Sequence, residues 1–104
     1  MTIKQLIERG EGKAKHWCVL PGSDDKDVRY LYHYGTVMLV WHHKSKRVID
    51  YDTGWGSVSD QNGMNTAFRV LNAPLYFSRK GGAEVVELTN KRVPEYEAGL
   101  RSRI

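Results

Sequence analysis

The longest run of strand-forming residues is the feature that most constrains how this chain can fold. Residues 28–41 are dominated by Tyr, Val, Leu and Thr, which favour extended backbone. Apolar side chains occupy both alternate sets of positions, as expected for a strand that is covered on both faces for much of its length. The run therefore predicts a central strand from Val28 to Trp41, and a fold organised around a sheet.

Shorter segments on either side supply partners for that strand. Residues 14–20 are predicted to form a strand, and residues 21–27 combine Pro, Gly, Ser and Asp in a surface loop. The polar connection 42–46 leads into another strand at residues 47–53. We expect this strand to pair antiparallel with the central strand, because a short polar connection between two strand-like runs is typical of a hairpin.

The spacing of apolar and capping residues indicates two helices. Thr2 and Gln5 match a capping box, and Gly10 ends a short first helix. Ser59 or Asp60 is expected to cap the start of the second helix. That helix has four apolar residues on one face at the spacing i, i+3, i+4, i+7: Met64, Ala67, Phe68 and Leu71.

A hairpin is predicted after the second helix. Asn72 suits the left-handed position that follows a helix, and Pro74 cannot continue one. A two-residue turn at Gly81–Gly82 would pair Phe77 with Val86. The residues expected to pack inward against the second helix are Leu75, Phe77, Val86 and Leu88.

These elements define the predicted fold class. The chain of 104 residues is long enough for one compact core, so residues 1–104 are expected to form a single α+β domain. The sheet is expected to be mostly antiparallel and twisted, with about five strands and with two helices packed on one face. Residues 89–104 are charged and are predicted to form a loosely ordered tail. The order of the strands stays open.

Composition indicates the compartment and the class of partner. Cys18 is the only cysteine, so no intrachain disulfide can form, and residues 1–10 lack the apolar stretch of a signal peptide. We therefore expect a cytoplasmic protein, with no membrane partner. The net charge of +4 and the pI near 9.3 would attract phosphate backbones or acidic protein surfaces, although such a charge also serves solubility.

Candidate catalytic and metal-binding residues each have a simpler structural interpretation. His16 and Cys18 would share one strand face, but a lone cysteine in a strand is usually a packing residue. Asp50 and Asp52 could hold a divalent ion for phosphodiester cleavage, but paired acids are also common on edge strands. The histidines lack zinc-ligand spacing. The sequence therefore predicts no enzyme, no catalytic residue, no cofactor and no metal.

Aromatic and basic residues favour a binding surface. Tyr30, Tyr32 and Tyr34 alternate along one strand, so bases could stack on them, although a sheet also buries such residues under a helix. Trp55 lies between two glycines and must either fold over the core or stand available to a partner. The second helix adds a polar face that includes Asn65. The predicted nucleic-acid or partner-binding residues are Tyr30, Tyr32, Trp55, Lys44, Lys46, Arg47, Arg69 and Arg79.

Three segments within residues 30–72 carry a resemblance to a group of proteins. They are Tyr34–Val40, the turn Gly54–Ser59, and Met64–Asn65 in the helix that follows. Together they resemble small bacteriophage-encoded proteins, in which a strand bearing a Thr is followed by a Gly-aromatic-x-Ser turn and an Asn-containing helix. The resemblance implies an accessory protein of a phage or prophage, a class that commonly binds nucleic acid or blocks host machinery. It carries over no catalytic residue.

The sequence thus predicts a non-enzymatic, phage-type accessory protein that binds a macromolecule. Nucleic acid is the favoured partner, recognised through a basic and aromatic surface. The first alternative is an inhibitor or modulator of a host or anti-phage defence protein, and the second is a small metal-dependent nuclease using Asp50. A homodimer also stays open, because an unpaired sheet edge or an apolar patch could join two copies.

Overall fold

A computed structural model describes residues 1–88 of the chain. Both helices lie on one face of a five-stranded antiparallel sheet, and a two-stranded hairpin follows the second helix, which confirms the predicted α+β class. The predicted tail, residues 89–104, lies outside the described residues. The elements are α1 (Ile3–Arg9), β1 (Gly12–Ala14), β2 (Trp17–Pro21), β3 (Val28–His33), β4 (Thr36–His42), β5 (Arg47–Tyr51), α2 (Val58–Val70), β6 (Leu75–Ser78) and β7 (Glu84–Glu87).

The five-stranded sheet is a meander in which strands β1 to β5 lie in chain order. Each strand therefore pairs with its neighbour in sequence, as expected when the connections are short. The first helix, α1, begins at the predicted capping box of Thr2 and Gln5 and ends at Gly10, which has a φ of 75°. Within residues 1–88, no helix has the length and apolar character needed to cross a membrane.

The predicted central strand over residues 28–41 is in fact two strands, β3 and β4. The chain reverses at Tyr34 and Gly35, whose φ angles are 52° and 82°. Positive φ at both central residues suits a two-residue hairpin turn, because its twist matches that of the flanking strands. The sequence does not predict this turn, because a tyrosine such as Tyr34 beside strand residues favours continued extension.

The predicted strand over residues 14–20 is also a hairpin. Lys15 has a φ of 54°, and it forms a turn with His16 that pairs Ala14 with Trp17. His16 therefore lies in a turn and not on a strand with Cys18. His16 and Cys18 accordingly do not share one strand face, and that prediction is wrong because it assumed an unbroken strand.

The core lies between the sheet and the helices. Alternation along β2 and β3 turns Trp17, Val19 and Leu31 towards the helices, and these side chains are almost completely buried. The predicted inner face of the second helix is confirmed, and it joins them in one cluster. That cluster contains Leu6, Ile7, Ala14, Trp17, Val19, Leu31, Met38, Leu39, Trp41, Met64, Ala67, Phe68, Leu71 and Phe77.

The hairpin of β6 and β7 differs from the predicted register by one residue. Phe77 pairs with Val85 rather than with Val86, because residues 79–83 form a loop that is longer than the predicted Gly81–Gly82 turn. A shift of one residue moves each side chain of β7 to the opposite face. Val85 therefore shares the face of the buried Phe77, and Val86 does not.

A buried asparagine attaches this hairpin to α2. Asn65 was expected on a polar helix face, but its side chain is only 8% exposed. Its Oδ1 accepts a hydrogen bond from the Phe77 N–H at 2.7 Å, and its Nδ2 donates to the Phe77 carbonyl at 3.0 Å. The amide thereby satisfies both backbone groups of a buried strand residue, as a neighbouring strand would.

Candidate functional site: an open sheet face and a buried histidine–aspartate pair

The outer face of the five-stranded sheet is the side opposite the helices. Two rows of paired residues cross it at the middle of the sheet. Leu20 is 49% exposed and Val37 is 37% exposed, while the other members are partly exposed. The central residues of this outer face are Cys18, Tyr32 and Val37 in one row and Leu20, Tyr30 and Val40 in the other.

Two of the three tyrosines of the predicted ladder lie on the outer face. The ring centroids of Tyr30 and Tyr32 are 6.5 Å apart, with an angle of 33° between the ring planes. Neither ring is under a helix, so the interpretation of the ladder as a covered core surface does not apply to them. Tyr34 lies in the β3–β4 turn, where it is 61% exposed and stacks on His16 at 4.3 Å.

Lysines from the β1–β2 hairpin border one end of the outer face. Lys13 and Lys15 line a shallow depression of about 400 Å³ together with His16, Tyr32 and Tyr34. These lysines were absent from the predicted site, because the sequence was taken to form one strand where the chain makes a hairpin. The turn at Lys15 is what brings them to the edge of this face.

The β4–β5 connection supplies basic residues at the other end. Arg47 pairs with His42, which in turn pairs with Val28 on the outer side of β3. The Lys44 N–H donates to the Asp27 carboxylate at 3.0 Å, and the His42 ring lies 3.5 Å from the same carboxylate. Arg47 and Lys44 therefore lie at the same end of the outer face, beside one acidic residue.

His43 contributes no positive charge to this end of the sheet at neutral pH. Partial burial lowers the pKa of His43, and the positive charges of Arg29 and Lys46 lower it further, while Asp27 opposes them. Its ring lies edge-on to Trp41, with ring centroids 6.4 Å apart, and the Trp41 indole N–H donates to His43 Nδ1 at 3.3 Å. Lysine and arginine side chains therefore supply the basic character here, and His43 does not.

The remaining predicted binding residues lie in two other places. Arg69 is on the exposed side of α2, where it lines a depression with Lys46 and Lys4. Arg79 donates from Nε to the Gly56 carbonyl at 2.8 Å, next to Trp55, which is 77% exposed. The structure thus places Tyr30 and Tyr32 on the outer face, with Arg47 and the backbone of Lys44 at one end of it. It places Lys46 with Arg69 and Trp55 with Arg79.

The two acidic residues considered for metal binding, Asp50 and Asp52, lie near the end of β5 and just beyond it. Asp50 lies in β5 opposite Val40, and its Oδ1 accepts from the Tyr51 N–H at 2.9 Å. Asp52 lies beyond the strand, and its Oδ1 accepts from the Gly54 N–H at 2.8 Å. In the part of the chain that the structure describes, no group of three His, Cys, Asp or Glu side chains could hold a metal ion.

A second feature, a buried histidine–aspartate pair, lies where the sheet meets the start of α2. The Ser57 side chain, rather than that of Ser59 or Asp60, caps α2 by accepting from the Asp60 N–H, and Asp60 is the third residue of the helix. The Asp60 carboxylate is fully buried, and its Oδ2 accepts from the N–H groups of Trp55 and Ser57 at 3.0 and 3.1 Å. Its Oδ1 lies 2.6 Å from His33 Nδ1.

The ring of His33 is held in one orientation by its neighbours. It is only 2% exposed and stacks on the Trp17 indole, with ring centroids 3.8 Å apart and planes 6° apart. Its second nitrogen, Nε2, lies 3.3 Å from the hydroxyl of Ser59, an exposed residue of the first turn of α2. Ser59, His33 and Asp60 thus form a continuous hydrogen-bonded chain from the surface to the interior.

This chain of residues could not be predicted from a local pattern, because its two contacts join residues 26 and 27 positions apart. His33 appeared as one more residue of an apolar run, and Ser59 and Asp60 appeared only as helix caps. The one local signal was the spacing of Ser57 and Asp60, which matches a capping box with Asp in place of Glu or Gln.

The Asp60 carboxylate makes the stability of the fold sensitive to acid. Burial alone would raise the pKa of Asp60, but hydrogen bonds from His33 and Ser57 outweigh it and hold the pKa below its ordinary value of 3.8. A carboxylate with a lowered pKa stabilises the folded state above its unfolded pKa, and this contribution disappears as the pH falls through the folded value. We therefore expect the free energy of unfolding to fall below about pH 4.

Urea unfolding between pH 2 and pH 7 measures this dependence. An Asp60→Asn variant, which cannot ionise at this position, should lose less stability over the same acid range than the natural protein. Equal acid dependence in both proteins would show that other titratable groups cause it.

Comparisons with known proteins give no match to this chain. No protein-family model matches it, and no significant match was found among curated proteins or solved structures.

Proposed function

We propose that the chain is a binding protein whose outer sheet face takes single-stranded nucleic acid. The observation that carries this proposal is the position of Tyr30 and Tyr32 side by side on a face that the helices leave open. Aromatic rings on an open sheet stack on unpaired bases, and such stacking tolerates any sequence because every base has a flat face. Consistent with the resemblance, we propose an accessory role in the cytoplasm of a bacterium that carries a phage.

The charges around the outer face support a partner with a phosphate backbone. Lys13 and Lys15 border one end of the tyrosine rows, and Lys44 and Arg47 border the other. A strand such as β3 with six residues is about 20 Å long, so a backbone that follows it would meet cations at both ends. Asp27 and Asp50 lie on the same side, so we expect stacking to contribute more to affinity than charge does.

Removing either tyrosine ring should weaken this binding. We expect Tyr30→Ala and Tyr32→Ala each to reduce the affinity for a fluorescein-labelled oligothymidylate by about 1–3 kcal/mol, the typical contribution of one stacked base. Fluorescence anisotropy at low salt measures the affinity. Tyr76→Ala is the matched control, because Tyr76 is an exposed tyrosine on β6, in the smaller sheet. An equal effect of all three substitutions, or no binding by the natural protein at low salt, would remove the proposal.

The salt dependence of binding should identify the basic residues that bind phosphates. For single strands, removing one cation that neutralises a phosphate reduces the slope of log K against log salt concentration by about 0.7. We expect Arg47→Ala to reduce the slope by this amount, and Arg69→Ala to leave it unchanged because Arg69 lies on α2. The measurement is the same anisotropy titration at a series of salt concentrations. A larger change for Arg69→Ala would place the bound phosphates on the helix side.

A protein partner is the second candidate function, and a different observation favours it. Trp55 is 77% exposed beside Arg79, and exposed tryptophan and arginine side chains are typical anchors of protein interfaces. Such a partner would be a host or anti-phage defence protein. A pull-down from bacterial lysate after nuclease treatment separates the two functions: a stoichiometric partner that no longer binds Trp55→Ala supports the protein target, and disappearance of all partners supports nucleic acid.

A further inference from the structure

We propose that Ser59, His33 and Asp60 form a nucleophilic serine site that reacts with small activated esters. This activity goes beyond the proposed binding function and departs from the prediction that the chain has no catalytic residue. The three residues lie on the helix side of the sheet, away from Tyr30 and Tyr32. The serine activity and the binding function can therefore be disproved independently. Ser59 is the nucleophile, His33 the general base, and Asp60 a positioning residue.

The hydrogen bonds determine which nitrogen of His33 carries the proton. The Asp60 Oδ2 already accepts from the N–H groups of Trp55 and Ser57. Its Oδ1, 2.6 Å from His33 Nδ1, belongs to an ionised carboxylate and can only accept. Nδ1 therefore carries the proton, and in the neutral ring Nε2 presents its lone pair to the Ser59 hydroxyl at 3.3 Å. This is the arrangement that a general base needs in order to take a hydroxyl proton.

The base is held rigidly while the nucleophile stays open to solvent. Stacking on Trp17 and almost complete burial prevent the His33 ring from turning, so its orientation is fixed before a substrate arrives. Ser59 itself is exposed, and its neighbour Val58 is 54% exposed. Trp55, which is 77% exposed, lies in the preceding turn. This open, apolar setting suits a small ester with an apolar acyl group better than a large substrate that needs an enclosing cavity.

Backbone donors for the developing negative charge lie beside the nucleophile. The first N–H groups of a helix have no partner within the helix. At α2 the Ser57 side chain accepts from the Asp60 N–H. Among the hydrogen bonds within residues 1–88, none uses the N–H of Val58 or of Ser59. These two groups, together with the positive end of the helix dipole, can stabilise the oxygen that becomes negative during attack.

The reaction proceeds in two balanced halves. The Ser59 Oγ forms a bond to the carbonyl carbon of the ester while its proton passes to His33 Nε2, and the tetrahedral intermediate breaks its bond to the alkoxy oxygen, which leaves with that proton as an alcohol. Water then attacks the acyl-serine carbonyl and gives a proton to Nε2. The bond between the carbonyl carbon and Oγ breaks, Oγ recovers the proton, and the acid is released.

Labelling with a fluorophosphonate tests the nucleophile directly. The serine oxygen forms a bond to phosphorus and fluoride leaves, so the adduct is stable and its site can be read by peptide mass spectrometry. We expect one adduct per chain, on Ser59. Ser59→Ala should lose the label, while Ser45→Ala, a control at an exposed serine in the β4–β5 turn, should keep it. Absence of an adduct on Ser59, or equal labelling of Ser59→Ala, would overturn the proposal.

An Asp60→Asn variant distinguishes activation by His33 from simple exposure of a serine. The asparagine amide can donate to Nδ1, which moves the ring proton to Nε2 and removes the lone pair that faces Ser59. We expect the labelling rate and the burst of p-nitrophenol from p-nitrophenyl acetate to fall at least ~100-fold. The rate of the natural protein should rise with pH in a single step that Ser45→Ala retains. An unchanged rate in a folded Asp60→Asn variant would leave Ser59 as an ordinary surface serine and overturn the proposal.

Discussion

Replacing Asp60 by alanine is expected to lower the free energy of unfolding by about 3–5 kcal/mol, because each buried hydrogen-bond donor that loses its acceptor costs about 1–3 kcal/mol. The carboxylate is fully buried, and it accepts from His33 and from the backbone N–H groups of Trp55 and Ser57. Alanine would leave all three donors without their acceptor in a site closed to water. Urea unfolding followed by circular dichroism measures the change.

The control for this prediction is an exposed aspartate with a similar local hydrogen bond. Asp50 accepts from the Tyr51 N–H but lies on the surface of β5, so water can replace the carboxylate. Asp50→Ala should therefore change the free energy of unfolding by less than ~1 kcal/mol. If Asp60→Ala were no more destabilising than Asp50→Ala, the network at the start of α2 would have no structural role.

The elements that the sequence predicted well are those with local causes. The first helix is bounded by Thr2 and Gly10, and the apolar face of the second helix follows from the spacing of its residues. Asn72 does adopt the predicted left-handed conformation, with a φ of 54°. In each case the determining residues lie within one or two turns of each other, so the sequence alone is enough to predict the element.

The errors in the sheet share one physical cause. Both missed hairpins turn at a residue with a side chain that normally avoids positive φ, Lys15 in one and Tyr34 in the other. Turn formation there depends on pairing between the flanking strands, such as that of Ala14 with Trp17, which outweighs the local preference for extension. Apolar residues at both alternate sets of positions in residues 28–41 then resemble one strand covered on both faces. They belong instead to two strands, β3 and β4, in a sheet with one open face.

The functional residues also divide into those with a local signal in the sequence and those without one. Tyr30 and Tyr32 could be assigned to one face because their spacing of two residues is a property of any strand. Whether that face is open or covered depends on which side of the sheet the helices take, which is not a local property. The contacts of His33 with Ser59 and Asp60 join separate parts of the chain, and no local pattern marks them.

The substitution Gly63→Ala should destabilise the fold by about 3 kcal/mol, at the upper end of the range for an overpacked core. In the middle of a helix this change normally stabilises by about 1 kcal/mol, because alanine restricts the unfolded chain and glycine does not. Gly63 is instead the point where α2 contacts the Trp17 indole, and a Cβ there would overlap the ring, with even Cε2 only 2.8 Å away.

Trp17 cannot move aside to accept that methyl group, because its ring also stacks on His33, and the Asp60 carboxylate in turn holds His33. The strain should therefore spread to the start of α2. Thermal and urea unfolding of Gly63→Ala measure its size, and Asn62→Ala, at the exposed neighbouring position, serves as the control that should be neutral or slightly stabilising. A Gly63→Ala protein as stable as the natural one would mean that α2 does not pack against Trp17 at this distance.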